Sequence, residues 1–156
     1  MSCLQIIQAT PERVDQIAAL FLGYLEFYRQ PAAPAKARRF LRERLKRGES
    51  KIFLAMLDSK PVGFVQLYPT FTSIAMKKAW VLYDLFVVPA ARKKGVAQAL
   101  MKRAQRLGAQ TGAAEFVLET ATTNRAAQRL YKKLGWHRDS GFLLYRYYFR
   151  QKKVAL

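Results

Sequence analysis

"VVPAARKKGVAQALM", residues 87–101, decides how the chain around it folds. An apolar run stops at Pro89. Arg92, Lys93 and Lys94 then stand directly before Gly95, and Val96, Leu100, Ala104 and Leu107 follow at helical spacing. This is the wrong end of a helix for positive charge. The N-terminus already carries about half a positive charge, and a cation beside it costs about 0.3–1 kcal/mol. An anion removes the conflict. Gly95 and Ala97 have little or no side chain, so a ligand can approach the backbone, and the free N–H groups of the first turn point at it. With three cations added, the pattern suits a polyphosphate. It is neither G-x-x-x-x-G-K-[ST] nor G-x-G-x-x-G. Taken alone, it would also fit a solvated basic turn.

Working outward, "AWVLYDLFVV" (79–88) is the strand that feeds the turn. "KIFLAMLD" (51–58) and "VGFVQLYPTF" (62–71) precede it, joined by "SKP", so three strands form an antiparallel meander. Upstream, "CLQIIQAT" (3–10) reads as a strand. Val14, Ile17, Ala18, Phe21, Leu25 and Tyr28 place an amphipathic helix over 11–29, and a second helix covers about 35–47. Downstream, the helix after Gly95 ends near Gly108 or Gly112, and "AEFVLETA" (114–121) is a strand. A helix opens at Asn124 with Gly135 as its C-cap, and "FLLYRYYF" (142–149) is a final strand. The order is β-α-α-β-β-β-α-β-α-β-β, a mixed α/β fold. Neither an internal repeat nor a linker interrupts it, so 1–156 is expected to be one domain.

Composition narrows the classes further. With 156 residues, 51% of them hydrophobic, the chain can bury a real core. No apolar run reaches the roughly 18 residues of a membrane span, and "MSCLQIIQAT" (1–10), with neither a basic start nor an apolar core, is not expected to act as a signal peptide. One cysteine, Cys3, excludes an intrachain disulfide and fits a reducing compartment, so the expected location is cytoplasmic. Lys plus Arg number 28 against 10 acids, for a net charge of +18. Such a chain meets anions: phosphorylated small molecules, nucleic acid or an acidic partner.

A second segment, "NRAAQRLYKKLGW" (124–136), joins the first. R-x-x-G-x-A after "DLFVVP", followed downstream by N-x-x-A-x-x-x-Y-x-x-x-G-[FW], resembles the GCN5-related N-acetyltransferases, the GNAT superfamily, over residues 3–150. "YDLFV" is similar to the corresponding strand of its polyamine and thialysine branch, which commonly has Glu or Asn where this chain has Tyr83. The resemblance implies a mostly antiparallel central sheet flanked by about four helices, with strands 79–88 and 114–121 splayed apart to admit acetyl-CoA. It implies no metal and allows a homodimer. The pyrophosphate would rest on Arg92, Lys93, Lys94, Gly95, Val96, Ala97 and Gln98. Backbone groups of Phe86, Val87 and Val88 would bind the pantetheine arm, an N–H near Val87 polarising the thioester carbonyl. Asn124 would bond the pantetheine or a water, Ala127 would keep the helix low beside the coenzyme, and Lys133 would reach the 3′-phosphate. Tyr131 would protonate the departing thiolate; by spacing alone it would equally be a core aromatic.

The implied chemistry is direct attack of an amine on acetyl-CoA in a ternary complex. Cys3 is isolated and His137, the single histidine, reads as structural, so neither suggests an acyl-enzyme. Asp84 is the candidate to hold or deprotonate the amine. By period-two alternation it shares a face with Trp80, Leu82, Phe86 and Val88, an apolar company in which a carboxylate calls for a cation. Tyr24, Glu26, Thr70 and Phe71 match regions that line the family's acceptor pocket. A small cationic amine is therefore the expected acceptor. A protein lysine or N-terminus, or a basic nucleic-acid-binding module without catalysis, are the alternatives.

Overall fold

The computed structural model describes residues 3–149. Its elements run β1 (Leu4–Gln8), α1 (Val14–Phe27), α2 (Pro34–Lys46), β2 (Lys51–Leu57), β3 (Lys60–Thr72), β4 (Lys77–Val87), α3 (Val96–Gln110), β5 (Glu115–Leu118) and α4 (Arg125–Lys133). Short 3-10 turns at Pro11–Arg13 and Pro89–Ala91 lead into α1 and the α3 corner, each beginning with the proline that pre-sets φ. By their internal contacts the described residues form two compact units, one through Glu119 and one from Thr120 onward.

In the first unit, five strands form one sheet in the order β1-β2-β3-β4-β5. The first four are antiparallel neighbours, and β5 lies parallel to β4. The sheet is mixed and mostly antiparallel, as expected. Val14, Ile17 and Leu20 of α1 and Leu41 of α2 pack over Ile52, Leu54 and Phe64 on one face. The opposite face takes α3: a Cβ placed on Gly63 would touch Leu100, and Trp80 Nε1 donates to Thr111 Oγ1 at the end of α3 (2.9 Å). Phe53, Phe64, Leu67 and Leu100 are completely buried, each contributing about 1.5–3 kcal/mol by leaving water.

The register between β3 and β4 slips at one point. Gln66 pairs with Asp84, but Leu67 pairs with Leu82, so Tyr83 is an extra residue on β4, a bulge. Its consequence corrects the alternation expected from sequence. Asp84, beside Gln66, faces α1 together with Phe86, whereas Leu82 and Trp80, paired with Leu67 and Pro69, face α3. All four are buried, which is why the alternation in burial survives while the face changes.

In the second unit, α4 ends in a Schellman motif. Gly135, at φ 84°, follows the helix, its N–H bonds to Lys132 O, and Trp136 N–H bonds to Tyr131 O. The closing strands of the expected order do not form among the described residues. Residues 142–149 make no ladder, and Phe142, Leu143, Tyr145, Tyr147 and Phe149 are exposed. Aromatic content suits a strand only where a neighbouring strand satisfies its backbone, so local propensity misled here.

Candidate active site

The corner between β4 and α3 is built by backbone. After the Pro89–Ala91 turn, Lys93 takes φ 61° and Gly95 φ 78°, both left-handed, so the chain reverses in a few residues and enters α3 at Val96. Ala99 is the first to bond back, to Gly95 O (3.0 Å), which leaves the N–H groups of Val96, Ala97 and Gln98 outside the helical ladder. A Cβ on Gly95 would meet nothing within 4 Å, so it is the backbone angle that calls for glycine there. Val96 is sunk in the core and anchors the helix end; Lys93 and Lys94 are exposed beside it.

Arg92 is committed differently from its neighbours. Its Nε donates to Val87 O (3.0 Å), and its guanidinium lies 5.6 Å from the Phe27 ring centroid and 6.0 Å from that of Phe86. It straps the turn to the end of β4.

Pairing between β4 and β5 stops at Leu82↔Leu118, so the strands part where Tyr83 is inserted. Beyond that point β4 continues to Val87 with β3 on one side only. Hydrogen-bonding direction alternates along a strand. Val88 N–H donates to Val62 O (2.9 Å), and Phe86 O also lies on the β3 side. Val87, between them, turns its peptide groups to the open edge. Of the three backbone positions expected to meet pantetheine, Val87 therefore keeps its N–H open, its carbonyl being bonded by Arg92 Nε, while Phe86 and Val88 are turned to β3.

On the α1 face of the same strand, Asp84 is 4% exposed and Gln66 0%. Gln66 Nε2 donates to Asp84 Oδ2 (2.7 Å), and Tyr24 bonds to the same carboxyl. Burial holds Asp84 above the usual carboxylate range, with these two bonds pulling the other way. No lysine or arginine among the described residues forms an ion pair with it. Phenols surround it. Tyr24 of α1 and Tyr28, which caps that helix, meet edge to face with centroids 4.9 Å apart, and Tyr68 and Tyr83 of the adjoining strands do so at 5.4 Å. Burial first, and then the Asp84 charge, raises the phenols of Tyr24, Tyr28 and Tyr68, so they stay protonated as donors.

Three expected acceptor residues lie elsewhere. Glu26 is exposed, about 200° round α1 from Tyr24. Phe71 is paired with Lys78 at the hairpin tip, on the face opposite Gln66, and is 76% exposed. Thr70 shares the Gln66 face but stands four residues further along β3, about 13 Å away. Conversely, Gln66 and Tyr68 escaped the sequence reading. Their only signal is even spacing on β3, and it gains meaning once the bulge brings Asp84 opposite.

In the second unit, Asn124 is the N-cap of α4, its Oδ1 accepting from Ala127 N–H (3.2 Å). Tyr131 is half-buried with its ring 6.1 Å from that of Trp136, and Lys133 is exposed in the last turn.

A sheet parted at a bulge thus lies beside a bare helix end, an open strand edge next to an anion-binding corner. The model of the acetyltransferase (GNAT) family matches residues 15–136, and the chain belongs to that family. It is 43% identical over 142 residues to an uncharacterized N-acetyltransferase of Bacillus subtilis (strain 168), YhfO, covering 91% of this chain and 95% of that one. A crystal structure of a probable acetyltransferase superposes with a TM-score of 0.90 at 37% identity, over 95% of this chain and 99% of the other. The fold is also that of aminoglycoside N-acetyltransferase AAC(6')-Iy in complex with CoA, at a TM-score of 0.79 and 22% identity, covering 94% and 96%. The protein is thus an N-acetyltransferase, and its family uses acetyl-CoA.

Among the described residues no group of three or more His, Cys, Asp or Glu could hold a metal ion, and no helix is long and apolar enough to cross a membrane.

Proposed function

We propose that this enzyme transfers acetyl from acetyl-CoA to a small cationic amine held at Asp84, within a single N-acetyltransferase domain spanning 1–156 and working in the cytoplasm. The observation that carries the acceptor is a buried carboxylate, raised by desolvation and ringed by phenols, with no cation of the described chain paired to it. A lone buried charge costs several kcal/mol, and a cationic ligand offsets that cost.

The pyrophosphate would rest on the N–H groups of Val96, Ala97 and Gln98, with Lys93 and Lys94 beside them and Gly95 admitting close approach. Arg92 would keep the corner in register rather than clamp phosphate. The pantetheine arm would run along the open edge of β4, where Val87 N–H is placed to polarise the thioester carbonyl. The ammonium gives one proton to Asp84, whose raised affinity for protons suits a base. The nitrogen lone pair attacks the carbonyl carbon, and the C–S bond breaks. The second proton, from the attacking nitrogen, is balanced by protonation of the thiolate, a role assigned to Tyr131 by its place in the family motif. Asn124, beyond capping α4, and Ala127 and Lys133 are assigned to the coenzyme on the same basis.

The test is a panel of primary amines with acetyl-CoA, read by thiol release, for wild type and Asp84→Asn. Turnover of alkylamines that Asp84→Asn abolishes supports the reading. Turnover confined to peptides with free lysine or N-terminal amines replaces the acceptor.

A further inference from the structure

Gln66 lies in the middle of β3, completely buried among Phe64, Val65 and Leu67, in a run that is otherwise apolar. Its orientation is determined by its neighbour. Nε2 donates to Asp84 Oδ2 at 2.7 Å, and turning the amide over would set its oxygen against a carboxylate oxygen. Oε1 is therefore held as an acceptor, and it is buried without a hydrogen-bond partner among the described residues. An unpaired buried carbonyl oxygen destabilises the fold, because it has given up its bonds to water without replacing them. Two uncompensated acceptors, one charged and one neutral, thus stand side by side on one face of adjacent strands. Together they call for a ligand with one positive charge and more than one N–H.

We propose that Gln66 and Asp84 form a single seat for an unsubstituted ammonium, the carboxylate supplying charge and the Gln66 carbonyl oxygen selecting primary amines over their N-methylated forms. The proposal rests on the amine-acceptor reading above and adds a specificity residue to it. Of the three N–H bonds of a primary ammonium, one goes to Asp84, one to Gln66 Oε1, and the third remains with the nitrogen as it turns toward the thioester. Each methyl removes a donor and adds bulk beside Gln66 and Asp84, both of which are buried.

The probes are n-pentylamine, N-methylpentylamine and N,N,N-trimethylpentylammonium, titrated into the full chain with affinities read by NMR. The wild type should lose about tenfold on the first methylation and more on the last, the size of one charge-assisted hydrogen bond per step. In Gln66→Met the first step should shrink below about twofold, while Asp84→Asn should weaken both N–H-bearing probes. Gln66→Glu keeps a carbonyl-type acceptor at the same place, but a second buried carboxylate beside Asp84 shares one proton with it, so the pair still carries one charge. The variant should keep the methylation penalty within about twofold of the wild type, and it decides the matter if the methionine variant does not fold. Equal affinity for all three probes in the wild type, an undiminished methylation penalty in Gln66→Met, or a lost penalty in Gln66→Glu would each overturn the proposal. Thiol release is measured separately on the same amines. Selective binding without release sinks the transfer reading and spares the seat; release without selectivity does the reverse.

Discussion

The two ends of the open stretch of β4 make opposite electrostatic demands. At Asp84, before the gap, side chains from three elements converge on a buried negative charge. At the Arg92–Ala97 corner, past the gap, the chain offers bare N–H groups and exposed lysines to an anion. The first site is built by convergence and the second by one continuous run of residues. The proposed transfer from a phosphate-tailed thioester to a cationic amine would use both, one at either end of the open stretch of β4, so that the reacting atoms meet between them.

The sharpest way to separate the two ends is Asp84→Asn. It should lower kcat/KM for alkylamines by about a thousandfold while CoA affinity, measured by calorimetry, stays within about twofold. The same variant should unfold at a higher temperature at pH 8. The sign follows from burial. The folded-state affinity of Asp84 for protons exceeds the unfolded one, so its contribution to stability is complete at low pH and is lost as pH rises through the folded value. The gain of the variant should therefore shrink as the scan moves toward pH 4. A drop in CoA affinity instead would mean that the ends are not independent.

Tyr131→Phe should reduce kcat by about a hundredfold at unchanged CoA affinity if it supplies the thiolate proton; an unchanged rate reassigns the donor. Gly95→Val should weaken CoA about tenfold and leave amine binding alone. A branched side chain resists φ 78°, although space exists for it, so the cost is conformational. Smallest of all, Phe71→Ser should leave the amine KM within about twofold, because that side chain stands at the hairpin tip. A large rise would return it to the acceptor site.

The contrast also explains what could be read in advance. The corner is local: proline, cations, glycine and the spacing of Val96, Leu100 and Ala104 lie in one stretch, and the structure reproduces each. The meander and the helices followed from period, with ends shifted by a few residues. The Asp84 cluster depends on the register between β3 and β4, which one inserted residue alters. Nothing in "VLYDLF" marks Tyr83 as the bulge, so Trp80 and Leu82 were expected beside Asp84, and Gln66 and Tyr68 were passed over. Residues 142–149 failed for a related reason, since pairing is a property of two segments and propensity of one.

The most direct test of the whole account is a crystal structure of the protein grown with CoA. The coenzyme's pyrophosphate should lie within hydrogen-bonding distance of the Val96, Ala97 and Gln98 amides, with the pantetheine arm along Val87 at the open edge of β4. Coenzyme bound elsewhere, with this corner empty, would contradict it.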